Sequence, residues 1–235
     1  MNIDSTHVIG CGGTGGHLVP LLARLLQYHP NANAGLTVHD GDSFEAHNAA
    51  RQPMGDAAID QPKANWIQQL CSQQGLTITA SPHYMDRARL ERLLQRSTGT
   101  TCLIAAVDND ATRKLCLDTL EDSSGDWLFI TPGNAGADDP INAIRGNVLW
   151  YGRVRGVTYG MNPAQVFPNI EQPNDDIPKD GGCMLAQPSS PQLITANAMA
   201  ATLTLAVIQN ILDDLLPPEA STLFFNGRSF SLSAS

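Results

Sequence analysis

The sequence predicts an α/β fold: a Rossmann-like, doubly wound and mainly parallel sheet with a C-terminal helix and strands. Two observations predict it. Short β-rich runs alternate with helical patterns over residues 1–135, and a glycine-rich turn separates the first strand from the first helix. With 235 residues and 42% hydrophobic content, the chain can bury one sizeable core without disulfides. We therefore expect a single domain, with a nucleotide-binding core (1–135), an irregular crossover region (136–191) and a C-terminal helix and strands (192–235).

Apolar patterns justify the individual elements. β-rich runs predict strands at Thr6 to Ile9, Leu36 to His39, Leu76 to Ala80, Cys102 to Val107 and Leu128 to Thr131. Apolar spacing of three and four residues predicts helices at Leu18 to Tyr28, Lys63 to Gln73, Arg87 to Arg96 and Ala111 to Glu121. Because proline is tolerated only near the first turn of a helix, Pro20 predicts that the first helix begins after the last glycine of the turn.

Residues 136–235 have a different character. Residues 145–160, RGNVLWYGRVRGVTYG, are predicted to form a strand or a hairpin, and a stretch rich in Pro, Asn and Asp follows. We then expect a helix from Gln192 to Leu216 and strands at Thr222 to Asn226 and Ser229 to Leu232. This apolar helix contains amide and acidic side chains that hydrocarbon would not tolerate, so we expect a core or subunit-interface helix rather than a membrane span. These residues are Asn197, Gln209, Asn210, Asp213 and Asp214.

Composition limits the partners and the compartment. A formal charge of -9 opposes binding to nucleic acid or to an anionic membrane. The five cysteines are odd in number and form no CxxC pair, so no zinc is expected and a reducing cytosol is favoured. The first strand begins within about six residues of Met1, which leaves no room for a signal peptide. The expected location is cytoplasmic.

The segment HVIGCGGTGG, His7 to Gly16, is the most informative motif. Gly10, Gly12 and Gly15 fit GxGxxG, in which a tight turn lets backbone N–H groups and a helix N-terminus meet phosphate oxygens. NAD, FAD and ATP enzymes all use this fingerprint, and a glycine-rich turn can also serve close packing alone. Since ligands bind at the carboxyl ends of parallel strands, Asp40 and Asp108 should converge with this turn on one crevice.

Each polar candidate also has an ordinary structural interpretation. An NAD-binding fold would place an acid at Asp40 as well. Asp42 and Glu45 suit solvated loop charges, and Asn48 could cap a turn. Arg51 and Lys63 could form surface ion pairs. Asp108 and Asn109 could serve as the N-cap of the helix that begins near Ala111.

Four motifs in register resemble the ThiF family, the adenylyltransferases of thiamine and molybdopterin biosynthesis together with the ubiquitin-activating enzymes. The family motifs are GxGGxG, DxDxVxxxNxxRQ, a G/Q-x-K segment and a DN dipeptide with an arginine four residues beyond the Asn. The resemblance is strong over residues 6–135 and weak elsewhere, and it is greatest to small ThiF-like proteins of bacterial mobile elements. The matching residues, in the same order and spacing, are Gly10, Gly12, Gly13 and Gly15, then Asp40, Asp42, Asn48, Arg51 and Gln52, then Lys63, then Asp108, Asn109 and Arg113.

The resemblance implies that ATP and Mg²⁺ are used to adenylate a carboxylate, typically the C-terminal glycine of a small ubiquitin-like or sulfur-carrier protein, by a homodimer. It implies that Asp40 holds the ribose hydroxyls and that Arg51 and Lys63 neutralise the triphosphate. Asn48 would help to place the phosphates or the metal, and Asp108 would bind Mg²⁺. The other motif residues would contribute to nucleotide binding. Such a reaction brings two anions together, so fixed cations and a metal lower its barrier.

The resemblance is incomplete in two respects, and it suggests one further catalytic residue. Family members that transfer the acyl group to a thiol carry a cysteine in the crossover loop, and Cys183 occupies a comparable place. The alternative is that Cys183 is an ordinary loop cysteine.

The zinc-binding CxxC pairs of many members are missing. The arginine that precedes the first strand in relatives is also missing, and Arg145, Arg153 or Arg155 could replace it, unless these are exposed strand charges.

Three hypotheses therefore compete with ATP-dependent adenylylation. An NAD-dependent oxidoreductase would explain the glycine loop and Asp40 but leaves Arg51, Lys63 and Asp108 without a task. A catalytically degenerate nucleotide-binding module could serve protein interaction, which the missing N-terminal arginine favours. A tRNA-modifying relative would activate a carboxylate on tRNA, which the acidic balance of the chain disfavours.

Overall fold

The computed structural model describes residues 2–53, 55–135, 144–180, 192–216 and 220–235. Within these ranges nine strands form one sheet in the order β3-β2-β1-β4-β5-β6-β8-β9, with β7 paired to β6. The strands are β1 (Ile3–Ile9), β2 (Ala32–His39), β3 (Thr79–Ser81), β4 (Thr101–Ala105), β5 (Trp127–Asn134), β6 (Arg145–Val154), β7 (Val157–Gly160), β8 (Thr222–Asn226) and β9 (Ser231–Ala234). The helices are α1 (Gly13–Tyr28), α2 (Lys63–Gln73), α3 (Arg87–Arg96), α4 (Asp110–Glu121), α5 (Pro163–Val166) and α6 (Ile194–Leu212).

The first five strands form the doubly wound half of the sheet. β1 lies between β2 and β4, and both pairings are parallel. β3 and β5 extend the sheet in parallel on either side. The strand order therefore reverses beside β1, so the carboxyl ends of β1 and its neighbours border a crevice that suits a ligand. The predicted Rossmann-like α/β fold is confirmed.

Apolar residues cover both faces of this sheet. On one face, β1 packs with α1, α2 and α6 through side chains such as Leu18, Ile67 and Ile208. On the other face, α3 and α4 bury Leu90 and Leu117 against β4 and β5. Burial on both faces explains why β4 reads as a continuous apolar run.

The C-terminal strands turn the sheet antiparallel, as β6 runs against both β5 and β8. β6 and β7 form the predicted hairpin. Its two-residue turn has Arg155 and Gly156 at φ 52° and 74°, the left-handed pair of a type I′ turn.

Helix α1 begins at Gly13, so the prediction that it begins after the last glycine is wrong. Packing explains the early start, because a Cβ on Gly15 would collide with the carbonyl of Gly10 and only glycines allow the first turn to form there. Pro20 consequently lies inside the helix, where the Gly16 carbonyl lacks its usual helical donor. Burial of the apolar stripe of α1 outweighs that local cost.

Other element bounds were predicted with varying success. α2, α3 and β8 have the predicted limits. β3 is shorter than predicted and begins at Thr79, while α6 is shorter at both ends and β9 begins at Ser231 rather than Ser229. The ends of strands and helices depend on contacts with neighbouring elements, which apolar periodicity does not reveal.

The described part of the crossover region, 144–180, holds the β6–β7 hairpin, α5 and a short 3-10 helix, followed by an irregular stretch. Two aspartates fasten that stretch to the nucleotide-binding half. Asp175 accepts hydrogen bonds from the amides of Asp110 and Ala111 at the start of α4 (2.8 and 2.7 Å). Asp180 contacts the side chains of His83 and Arg89 at 3.1 and 2.7 Å.

Among the described residues, α6 is long and apolar enough to span a bilayer by length and composition alone. Its Ala200, Val207 and Ile211 are buried in the protein, as are the polar Asn197 and Thr204. The helix packs against α1 and the sheet. This arrangement agrees with the predicted core helix.

Candidate nucleotide-binding site

A crevice of about 1700 Å³ lies at the carboxyl ends of β1, β2, β4 and β5. It brings together nearly all the residues that the sequence motifs predicted. Gly15 lies beneath the crevice instead of lining it, and Cys183 falls outside the described residues. The predicted residues that line the crevice are Gly10, Gly12, Gly13, Asp40, Asp42, Asn48, Arg51, Gln52, Lys63, Asp108, Asn109 and Arg113.

The glycine loop forms the end of this crevice nearest α1. Gly10 adopts φ 93°, and a Cβ there would lie 2.6 Å from the Ala106 carbonyl oxygen, so only glycine fits. The N-cap of α1 is Gly12, and Gly12, Gly13 and Thr14 border the crevice. The amides of the first helical turn therefore open onto the place where a phosphate would lie.

Asp40 is a buried carboxylate at the end of β2. Its Oδ2 accepts a hydrogen bond from the Cys11 amide at 2.6 Å, and its Oδ1 accepts one from the Asp42 amide at 2.8 Å. Burial raises the pKa of Asp40 to about 6, although Lys63 and the two amide donors lower it. Asp40 therefore fixes the glycine loop to β2, whether or not it also contacts a ribose.

Lys63, the first residue of α2, carries a cation into the crevice. Its Nζ lies 3.0 Å from Asp42 Oδ2, and the Lys63 side chain is only 10% exposed. Burial lowers the pKa of Lys63, but Asp40 and Asp42 outweigh that effect and the net pKa is raised, so the ammonium is retained. Lys63 thus forms the ion pair that the alternative expected, but the lysine side chain is buried and not at the surface.

Tyr84 is a crevice residue that the sequence analysis missed. Its hydroxyl donates a hydrogen bond to Asp42 Oδ1, and its ring packs on Gly41 so closely that a side chain at Gly41 would not fit. Burial and the carboxylate of Asp42 raise the pKa of Tyr84. Only its position in the sequence could have predicted this place, because Tyr84 follows the third strand and so lies at the same rim as the motif residues.

The loop after β2 brings Asn48, Arg51 and Gln52 to the crevice. The side chain of Asn48 accepts a hydrogen bond from the Glu45 amide at 3.0 Å, so it does cap a 3-10 turn. Gln52 is buried beside Gly12, and its Oε1 has no hydrogen-bond partner among the described residues. A buried oxygen without a partner can accept a hydrogen bond from a bound ligand or from a water molecule.

On the opposite side, Asp108 follows β4 and is exposed to the crevice. Asn109 is the N-cap of α4, with Oδ1 accepting from the Thr112 amide at 2.8 Å. Arg113 pairs with Asp110 at 2.7 Å and donates to Thr131 Oγ1 at 3.1 Å. Asn109 and Arg113 thus shape the rim, and Asp108 is the motif residue here that is open to a ligand.

The described residues contain no group of three His, Cys, Asp or Glu side chains arranged to hold a metal. Asp108 nevertheless fits Mg²⁺, which proteins often bind through one or two carboxylates while substrate phosphates and waters supply the other ligands. A divalent ion here would therefore depend on the bound triphosphate.

The remaining candidates are separated by the fold. Arg145 lines the crevice from β6, whereas Arg153 lies at the other end of the sheet, where its guanidinium is 5.9 Å from the ring centre of Trp127. Arg155 belongs to the hairpin turn, beside Asp126. Cys11, Cys71, Cys102 and Cys116 are buried, and burial raises the pKa of each thiol.

Comparison with solved structures shows what this fold is similar to. E. coli MccB with AMPCPP and MccA has a TM-score of 0.65 at 14% identity, covering 99% of this chain and 63% of MccB. E. coli MccB with ATP has a TM-score of 0.64 at 13% identity over the same shares of the two chains. A structure of PaaA has a TM-score of 0.63 at 17% identity, with 99% of this chain and 63% of PaaA covered.

The likeness concerns the fold, because the sequence identities are low. This chain spans 63% of the length of these MccB and PaaA chains. No protein-family model and no curated protein matches the sequence. The comparison therefore establishes the fold alone.

Proposed function

We propose that this chain is an ATP-dependent adenylyltransferase of the ThiF and ubiquitin-activating type. One observation carries the proposal: the glycine loop, the buried Asp40 and Lys63, and the rim residues Arg51 and Asp108 converge on a single crevice. Structures of MccB with ATP, with AMPCPP and with the MccA peptide support it by analogy of fold.

The chemistry makes use of these positions. A substrate carboxylate oxygen attacks the α-phosphorus of ATP, a new P–O bond forms, and the bond to the β-phosphate bridging oxygen breaks to release pyrophosphate. The amides at the start of α1 and the cations Lys63 and Arg51 would balance the charge of the triphosphate. Mg²⁺ held by Asp108 would supply further charge compensation to the leaving pyrophosphate.

The acceptor would be the C-terminus of a small protein or peptide. The crevice continues from the glycine loop onto β6, β8 and β9, where Arg145, Asn147 and Asn226 provide a polar floor for an extended chain. A ubiquitin-like or sulfur-carrier protein is the proposed substrate class, and the MccB–MccA complexes favour peptides as well. A homodimer in the cytoplasm and thioester transfer to Cys183 complete the proposal.

An NAD-dependent oxidoreductase is the second candidate, because Asp40 at the end of β2 also suits a dinucleotide ribose. The buried Lys63 favours ATP, because an ammonium group near the phosphate loop can balance the negative charge of a triphosphate. Thermal shifts with ATP and with NADH separate the two candidates, and larger stabilisation by NADH would favour the oxidoreductase.

Pyrophosphate exchange into ATP tests the proposed reaction. We expect exchange that requires a carrier or peptide with a free C-terminal carboxylate and that fails with an amidated C-terminus. Asp108→Ala should reduce exchange by a factor on the order of 10² or more, as for other lost electrostatic contacts. Asp118→Ala on the exposed face of α4 is the matched control. Undiminished exchange in Asp108→Ala would refute the metal assignment, and no exchange with any carboxylate would refute the reaction.

A further inference from the structure

Asn197 is a buried polar residue that none of the sequence motifs includes. It lies near the start of α6, an otherwise apolar helix, and is 0% exposed. Buried amides in such surroundings need hydrogen-bond partners. Among the described residues, the hydrogen-bond partners of the Asn197 side chain belong to segments that border the nucleotide crevice.

The side chain of Asn197 connects three of these segments. Its Oδ1 accepts hydrogen bonds from Thr14 Oγ1 at 3.2 Å and from Asn134 Nδ2 at 2.5 Å. Its Nδ2 donates to the backbone carbonyl of Arg51 at 3.5 Å. One amide thus spans the first turn of α1, the end of β5 and the loop that carries the arginine.

Gly13 lies directly against this amide. A Cβ at Gly13 would collide with the Asn197 side chain, so the glycine leaves the space that Asn197 occupies. Burial lowers the pKa of His17, one turn further along α1, and the nearby Arg51 backbone offsets part of that effect. The backbone of Arg51 is thus bonded to α6 through Asn197, which in turn is bonded to α1 through Thr14.

We propose that Asn197 is a positioning residue that fixes the Arg51 loop relative to the phosphate loop. The inference rests on the proposed function, in which Arg51 helps to balance the charge of the triphosphate, most of which lies on the β- and γ-phosphates. AMP lacks those phosphates. Asn197 accordingly governs the preference for ATP over AMP and acts through Arg51 and Gly13 without touching either nucleotide.

Calorimetric titration with ATP and AMP tests this role. Asn197→Ala should weaken ATP binding about tenfold, the equivalent of one or two lost hydrogen bonds, and should weaken AMP binding much less. The matched control is Thr204→Ala, because Thr204 is also buried in α6 but its hydroxyl, within the described part of the chain, bonds to the Ala200 carbonyl of its own helix. Asn197→Asp keeps the acceptor and loses the donor to Arg51, so it should also lower the ATP to AMP preference.

Equal losses for ATP and AMP in Asn197→Ala would show a merely structural role and overturn the inference while leaving the proposed function intact. Failure of the wild-type protein to bind either nucleotide would overturn the proposed function and this inference with it.

A double-mutant cycle tests the geometry independently of any ligand. In thermal unfolding, Gly13→Ala should destabilise the wild-type protein more than it destabilises Asn197→Ala, because the second substitution removes the colliding amide. Additive effects of the two substitutions would contradict the described contact and overturn the proposal, even if both variants are less stable than wild type.

Discussion

Replacing Lys63 with methionine tests the electrostatics of the crevice most directly. The methionine keeps much of the side-chain volume but removes the cation that lies 3.0 Å from Asp42 and lowers the pKa of the buried Asp40. Asp40 would then be a buried carboxylate without a nearby ammonium, and breaking a buried ion pair from one side is strongly destabilising. We expect the loss of stability to depend on pH.

The sign follows from the pKa of Asp40. Its folded value of about 6 exceeds the ordinary 3.8, so the stability linked to this group is full at low pH and is lost as the pH rises through 6. At about 1.4 kcal/mol per pH unit, the charged carboxylate costs the wild-type fold on the order of 3 kcal/mol at neutral pH. Without Lys63 the pKa of Asp40 rises further and this cost increases. Lys63→Met should therefore lose about 3 kcal/mol at pH 8 and about 1 kcal/mol at pH 5.5, where Asp40 is mostly neutral.

Urea unfolding of both proteins at the two pH values measures this difference, provided that the m-value stays constant. Lys114→Met is the matched control. Lys114 pairs with Asp118 and Glu171 near the surface of α4, so its replacement should change stability by less than about 1 kcal/mol at either pH. A loss in Lys63→Met that is the same at both pH values, or no loss at all, would refute the described coupling of Lys63 to Asp40.

Two further predictions concern stability. Pro20→Ala should raise the unfolding free energy by about 1 kcal/mol or more, since it restores a helical hydrogen bond inside α1; a drop in denaturant midpoint would show that the proline ring is needed for packing. His7 and His39 lie side by side at 3.2 Å, and burial lowers their pKa values to about 4 and about 3, so their contribution to stability is lost as the pH falls from 6.5 toward those values. His7→Gln should reduce the slope of the unfolding free energy against pH between pH 7 and 4.5 by up to about 1.4 kcal/mol per pH unit, as measured by thermal unfolding. The control is His47→Gln at an exposed position, which should keep the slope of the wild-type protein. An unaltered slope in His7→Gln would contradict the assignment.

Periodicity and motif spacing predicted much of the fold and the membership of the crevice. α2 and α3 have the predicted limits because their apolar stripes and flanking breakers are unambiguous. Spacing also predicted that Asp40, Lys63 and Asp108 would gather at one rim, because the carboxyl ends of parallel strands meet there.

Contacts between distant parts of the chain account for what the sequence did not reveal. The start of α1 depends on the fit of Gly15 against Gly10, a packing relation that helix propensity does not include. Tyr84 acquires its place when β3 pairs with β2, and Asn197 acquires its place when α6 packs against α1. Neither residue belongs to a local pattern, so residue-by-residue interpretation passes over both.

The polar contacts that attach the crossover stretch beside the crevice should be sensitive to salt. Asp175 and Asp180 hold this stretch through charge, on partly or fully exposed contacts with few apolar neighbours. The Debye length falls from about 10 Å at 0.1 M salt to about 3 Å at 1 M, which is the length of these contacts, whereas apolar packing is not weakened by charge screening. At molar salt concentration these attachments of the crossover stretch should therefore weaken before the hydrophobic cores do.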